Sequence, residues 1–135
     1  IIMSMIGSIG FPTIVDTDRE FSIKNLALFK TSNSSVNTEF IKFALESKYI
    51  NYQLELEKGG GVQNFVSLET LRNLKLFIPS ISEQNQIVIF LKEKINRIQK
   101  LIDYELKRND LIKEYRQSLI ASVVTGKIRI TEDMI

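Results

Sequence analysis

Asp16, Asp18 and Glu20 alternate within one polar stretch, the densest set of carboxylates in the first part of the chain. An oxygen cage for a hard cation needs further ligands at regular spacing, and these do not follow, so the stretch reads as a solvated turn. The chain has no cysteine and no histidine. That excludes a thiolate nucleophile, a disulfide framework, zinc sites built on Cys or His, and any imidazole relay. No pair of carboxylates is spaced for general acid and base work, so no catalytic residue and no metal site is expected. Two glycine clusters remain, Gly7-x-x-Gly10 and Gly59-Gly60-Gly61. Neither carries the Lys-Ser/Thr or helix-opening spacing of a phosphate loop. Each is a turn, or a loop whose bare backbone lets a base or phosphate approach closely. Gln63 and Asn64 follow the second cluster, and their amides carry the paired donor and acceptor that suit an adenine edge. Surface turns also hold such amides.

Basic residues near turns are Arg19, Lys24, Lys30, Lys58, Arg72 and Lys75. Residues 1–80 hold eight basic and eight acidic side chains, so this region is neutral and cannot grip DNA strongly through counterion release. The whole chain has 135 residues and a formal charge of +2, with 44% hydrophobic and 25% charged residues, as in an ordinary soluble domain. No segment approaches the ~18 apolar residues of a membrane span, so a cytoplasmic protein is the default. The first residue is Ile1, with Met3 and Met5 internal, and a fragment is the simplest expectation.

The elements that must position these residues differ along the chain. Strands are expected at Ile1–Ile6, Phe11–Val15, Ile23–Lys30, Phe65–Val66 and Leu74–Ile78, with Pro12 confined to an edge. Asn37 fits an N-cap for a helix whose apolar face is Phe40, Ile41, Phe43, Ala44 and Leu45 and which runs to about Tyr49. A second helical piece over Asn51–Glu57 and a short one over Leu68–Asn73, capped by Ser67, complete the region. Ser80 and Glu83 have capping-box spacing, and no proline or glycine occurs from Ser80 to Thr125. A helix over Glu83–Val123 would be about 60 Å long. Its pairing seam is Val88, Leu91, Ile95, Ile98 and Ile102, then Ile112 and Leu119, interrupted by Glu105, Asn109 and Arg116. Asn109 is counted with the seam as a polar residue able to fix register. Gly126 stops the helix, and Lys127–Ile130 is expected as a last strand. The fold class is therefore α+β: a small mixed domain over 1–80, a long coiled-coil helix over 81–125, and a tail over 126–135.

The order of motifs resembles the specificity subunit of type I restriction–modification systems over roughly residues 4–130. The resemblance rests on Gly7-Ser8-Ile9-Gly10, Gly60-Gly61-Val62-Gln63-Asn64-Phe65-Val66-Ser67, and Pro79-x-x-x-Glu83-Gln84. It also rests on Tyr115-Arg116-x-Ser118-Leu119-Ile120 with Val124-Thr125-Gly126-Lys127-Ile128. Ser80 stands where the family often has a second proline, and serine caps well. The resemblance implies a partial target recognition domain followed by its spacer helix, with the domain's N-terminal part missing. It implies a non-catalytic protein without a cofactor of its own, reading one half of a split site in double-stranded DNA. The partners implied are methyltransferase subunits, which bind S-adenosylmethionine, endonuclease subunits, and a second spacer helix in the same full-length subunit or in a homodimer. The residues expected at DNA are Ser8, Gly10, Arg19, Lys24, Asn25, Lys58, Gly60, Gln63 and Asn64. The alternative is a coiled-coil dimerisation or adaptor module without DNA binding of its own.

Overall fold

The computed structural model describes residues 1–7, 9–32, 35–56 and 65–134. The elements run β1 (Ile2–Ser4), β2 (Leu26–Leu28), α1 (Thr38–Leu45), α2 (Lys48–Leu56), α3 (Leu68–Arg72), α4 (Ile81–Val124) and a 3-10 turn over Glu132–Met134. This is an α+β chain ending in a long helix. Two compact units divide it, Ile1–Leu91 and Lys92–Ile135, and α4 contributes to both.

In the first unit β1 and β2 pair antiparallel, with Met3 opposite Ala27 and both side chains buried. The apolar segment Ile1–Ile6 is the hub of the backbone pairing. Ile2 exchanges bonds with Thr13 (2.9 and 2.8 Å), Phe29 N–H donates to Ile1 O (2.8 Å), and Val66 N–H donates to Met5 O (2.9 Å). Phe11–Val15 therefore supplies one bridge, at Thr13, instead of the expected strand. Its neighbour Pro12 has no amide proton to extend the ladder. Phe65 likewise forms a single bridge, to Ile6.

Asn37 caps α1 as its type demands: its side-chain oxygen accepts from Glu39 N (2.8 Å) and Phe40 N (3.0 Å). The helix stops at Leu45 rather than near Tyr49. Ser47 interrupts it, donating its N–H to Ala44 O, and its hydroxyl then accepts from Ile50 N (3.3 Å) at the start of α2. Serine competes for backbone bonds in this way, which moves the break between the two expected helices back from about Ile50 to Glu46-Ser47. Phe40, Ile41 and Leu45 of α1 pack with Ile50 and Leu54 of α2, Leu71 of α3 and Val88 of α4 in one core. Ser67 caps α3, accepting from Thr70 N (3.0 Å).

Leu74–Ile78 is not a strand. The side-chain amide of Gln53 takes the place of a neighbouring strand there, accepting from Lys75 N (2.9 Å) and donating to Lys75 O (3.0 Å). An amide group offers the same donor and acceptor as a peptide unit, so the ladder has no need of a second chain segment. Lys127–Ile130 is not a strand either. Gly126 adopts φ +75°, and Ile128 N–H bonds back to Ser122 O (3.0 Å), closing the end of α4 on itself.

Candidate DNA-reading loops and helix-pairing face

The N-terminus of α4 carries the most densely bonded polar cluster among the described residues. Ser80 and Glu83 form a reciprocal capping box: Ser80 N–H and hydroxyl donate to Glu83 Oε2 (3.0 and 2.7 Å), and Glu83 N–H donates to Ser80 Oγ (3.3 Å). These donors hold the Glu83 carboxyl below the ordinary glutamate range, the side-chain hydroxyl contributing most. The next residue, Gln84, is fully buried. Its Oε1 accepts from Asn37 N (2.8 Å), and its Nε2 donates to Ser35 O (3.1 Å) and Pro79 O (2.9 Å). Asn37 adds a bond from its Nδ2 to Asn85 Oδ1 (2.8 Å). One buried amide thus ties the start of α4 to the cap of α1 and to the turn at Pro79. Both of its N–H donors and its carbonyl oxygen are engaged, as burial requires.

Of the residues expected at DNA, Gly10, Arg19, Lys24 and Asn25 are described. Ser8, Lys58, Gly60, Gln63 and Asn64 lie outside the described residues. The described flanks of all three glycine, lysine and amide loops meet at Met5–Ile6. Met5 N–H donates to Asn25 O (3.0 Å), Met5 O accepts from Val66 N, and Ile6 bridges Phe65, just before Gly7 turns the chain. Asn25 sits at φ +59°, a left-handed conformation that asparagine tolerates better than most residues. Lys24 and Asn25 are exposed. Gly10 is buried at φ +92°, and a Cβ there would lie 2.8 Å from Asn51 Oδ1. Close packing against α2 therefore accounts for this glycine. Arg19 is exposed in a turn where its N–H bonds Thr17 Oγ1 (3.2 Å). It is not joined to the Met5–Ile6 junction. Among the described residues, no group of three potential metal ligands comes together, and no helix is long and apolar enough to cross a membrane.

On the second unit's part of α4 no described side chain is fully buried. Leu91 is half-buried, and Val88 is taken into the first unit's core at 4% exposure, so the open part of the seam begins at Ile95. From there Ile98 (55% exposed), Ile102, Ile112 (54%) and Leu119 face outward, with Asn109 among them. Ile98, Leu101, Ile102, Leu106 and Ile112 line a shallow groove with Glu105, Arg108 and Asn109. An isolated helix draws little stability from its own backbone, so an exposed apolar stripe of this length is a face whose burial would stabilise the helix.

The family described as the type I restriction modification DNA specificity domain matches residues 1–108. The chain belongs to that family. Two relatives from Methanocaldococcus jannaschii carry matching names. The protein designated the MjaX specificity subunit of a type I restriction enzyme is 26% identical over 107 residues, covering 79% of this chain and 24% of the relative. The MjaVIII specificity subunit of a type I restriction enzyme is 23% identical over 125 residues, covering 92% of this chain and 28% of the relative. The chain thus spans about a quarter of the length of these relatives. No solved structure matches it.

In this specificity domain the Pro-x-x-x-Glu-Gln motif acquires a physical meaning: the glutamate caps α4 and the glutamine clamps it. Sequence reasoning found the cap and missed the clamp. The signal was present, because Gln84 lies four residues before Val88 on the apolar face, where an amide must find partners. Gln53 and Asn51 carried no comparable signal.

Proposed function

We propose that this specificity-family chain is a non-catalytic DNA-reading module of a type I restriction–modification enzyme, directing methyltransferase and endonuclease subunits to a bipartite site. The observation that carries the reading is the convergence of three loop flanks at Met5–Ile6 in a chain of this family. Loops held at one end of a sheet by a rigid core can present several side chains to one stretch of groove. Lys24 and Asn25 are exposed next to this junction and are proposed to contact DNA; Ser8, Lys58, Gly60, Gln63 and Asn64 are proposed as contacts from their residue types, Arg19 as a separate phosphate contact, and Gly10, buried against α2, has a packing role instead. Phosphate contacts position such a surface and base-edge contacts specify the sequence. With residues 1–80 neutral, its own salt dependence is shallow, and the methyltransferase partners supply most of the electrostatic grip.

The test is site-specific methylation by the chain assembled with its methyltransferase subunits. Gln63→Ala with Asn64→Ala abolishes or relaxes site selection while the thermal transition is unchanged. Asn25→Gly keeps the left-handed backbone, removes the side chain, and weakens methylation at the same site. Unchanged selection in both variants refutes the loop assignment.

A second reading rests on the outward apolar face of α4: a helix-pairing module whose globular unit buttresses the helix without reading DNA. The second helix comes from the same full-length subunit or from another copy. Sedimentation combined with a DNA-shift assay separates the readings, since a dimer without DNA affinity in the presence of methyltransferase favours the second.

A further inference from the structure

Among the 44 residues of α4, Gln84 and Val88 alone are buried. They stand one turn apart, about 6 Å along the axis, whereas the helix runs on from Gln84 to Val124 for about 60 Å. The first unit thus grips the long helix over a single turn at its root. By that ratio, about half an ångström of play across the two contacts becomes a shift of about 5 Å at the far end, more than the ~3.4 Å rise of one base pair. The two contacts differ in kind. Val88 packs into the apolar core, and such packing has no fixed direction. Gln84 makes directed bonds to three places: Asn37 N at the cap of α1 (2.8 Å), Ser35 O just before it (3.1 Å), and Pro79 O in the turn (2.9 Å). The capping box of Ser80 and Glu83 is local, joining α4 to the residue that leads into it.

We propose that Gln84 is a positioning residue for DNA recognition: its three bonds fix the direction in which α4 leaves the first unit, and thereby the number of base pairs allowed between the two half-sites. This role rests on the DNA-reading function proposed above and adds the residue that holds the gap. Gln84 touches no DNA in it. A recognition surface reads its own half-site through its loops, whereas the gap depends on the angle at the root of a long arm. Holding the far end of a helix of about 60 Å to within one base pair requires that angle to stay within about 3°. A buried amide with both donors and its acceptor engaged supplies such a restraint, because tilting the helix breaks bonds that water cannot replace there. An apolar side chain of the same size fills the space without penalising the tilt.

The test is methylation of random-sequence DNA by the 135-residue chain assembled with its methyltransferase subunits, the methylated sites being read by sequencing. Each site reports the bases of the half-sites and, separately, the gap between them. The wild-type chain uses one gap. Gln84→Leu keeps the half-site bases and raises methylation at gaps one base pair longer or shorter by about fivefold or more, the factor that one net hydrogen bond represents. Gln84→Asn keeps an amide but is one methylene shorter, so it cannot span all three partners, and it gives the same broadening should the leucine variant not fold. Leu54→Ala truncates the same core on α2, lowers the thermal midpoint and leaves the gap unchanged, which separates positioning from loss of stability. A folded Gln84 variant that keeps the wild-type gap, or a Leu54→Ala chain that broadens it equally, overturns the role. Altered half-site bases in the Gln84 variants overturn it too, since they place the residue in base reading. A wild-type chain that methylates no bipartite site overturns the DNA-reading function itself, and the positioning role with it.

Discussion

Replacing Gln84 by leucine removes the clamp at the start of α4 while keeping an apolar side chain of similar size at a fully buried position. Three side-chain bonds are lost: one from Asn37 N and two to the carbonyls of Ser35 and Pro79. Each is worth about 1 kcal/mol net, and a donor left without a partner costs about 1–3 kcal/mol. Ser35 is exposed, so water recovers part of the loss at its carbonyl, whereas the half-buried Asn37 N–H is harder to satisfy. The expected destabilisation is about 2–4 kcal/mol, a large share of the ~5–15 kcal/mol that holds a domain together. In urea, with a slope of about 1–3 kcal/mol per M, the midpoint falls by about 1–2 M. Asn85→Ala, which removes one exposed bond to Asn37, shifts it far less. Gln84→Glu is the sharper variant. It turns a donor toward two carbonyl oxygens into a carboxylate, whose burial raises its pKa in the folded chain. A group with a raised folded-state pKa is least harmful when protonated, so this variant regains stability relative to wild type as the pH falls. A leucine variant within about 0.3 M of wild type, or a glutamate variant without acid recovery, refutes the clamp.

Glu83 gives the opposite pH signature. Its carboxyl is held low by Ser80, so the capping-box contribution is present at neutral pH and fades as the pH falls through the lowered folded-state value. Glu83→Gln removes that acid-dependent component, as denaturation midpoints measured from neutral pH down to roughly pH 3 report. Glycine substitutions separate crowding from backbone strain. Gly126→Ala meets open space and pays only for φ +75°, about 1 kcal/mol, whereas Gly10→Ala adds the 2.8 Å approach to Asn51 Oδ1 and costs about 1–3 kcal/mol. Urea midpoints rank them in that order.

Much of this chain is legible locally. Asn37, Ser67 and Ser80 announce their helices because a cap is a contact within three residues. The long helix follows from 46 residues without proline or glycine and from its apolar period. The strands are less legible because pairing is non-local. Pro12 reduces one expected strand to a bridge, and the Gln53 side chain replaces a strand neighbour for Lys75, neither of which a period of two reveals. The candidate loops were named from residue type, but only the fold brings their flanks together at Met5–Ile6, since that junction joins segments 20 to 60 residues apart.

By itself, the sequence determined the α+β class, the caps, the length of α4, and a chemistry without cysteine or histidine, because each depends on residue type or short-range spacing. Tertiary structure decided what Gln84 does, why Gly10 must be glycine, and where the seam opens. Val88 belongs to the core and Ile98 to the surface, although both sit on the same helical stripe. Periodicity marks a face as apolar; only the packing of the other elements determines which part of that face is already covered.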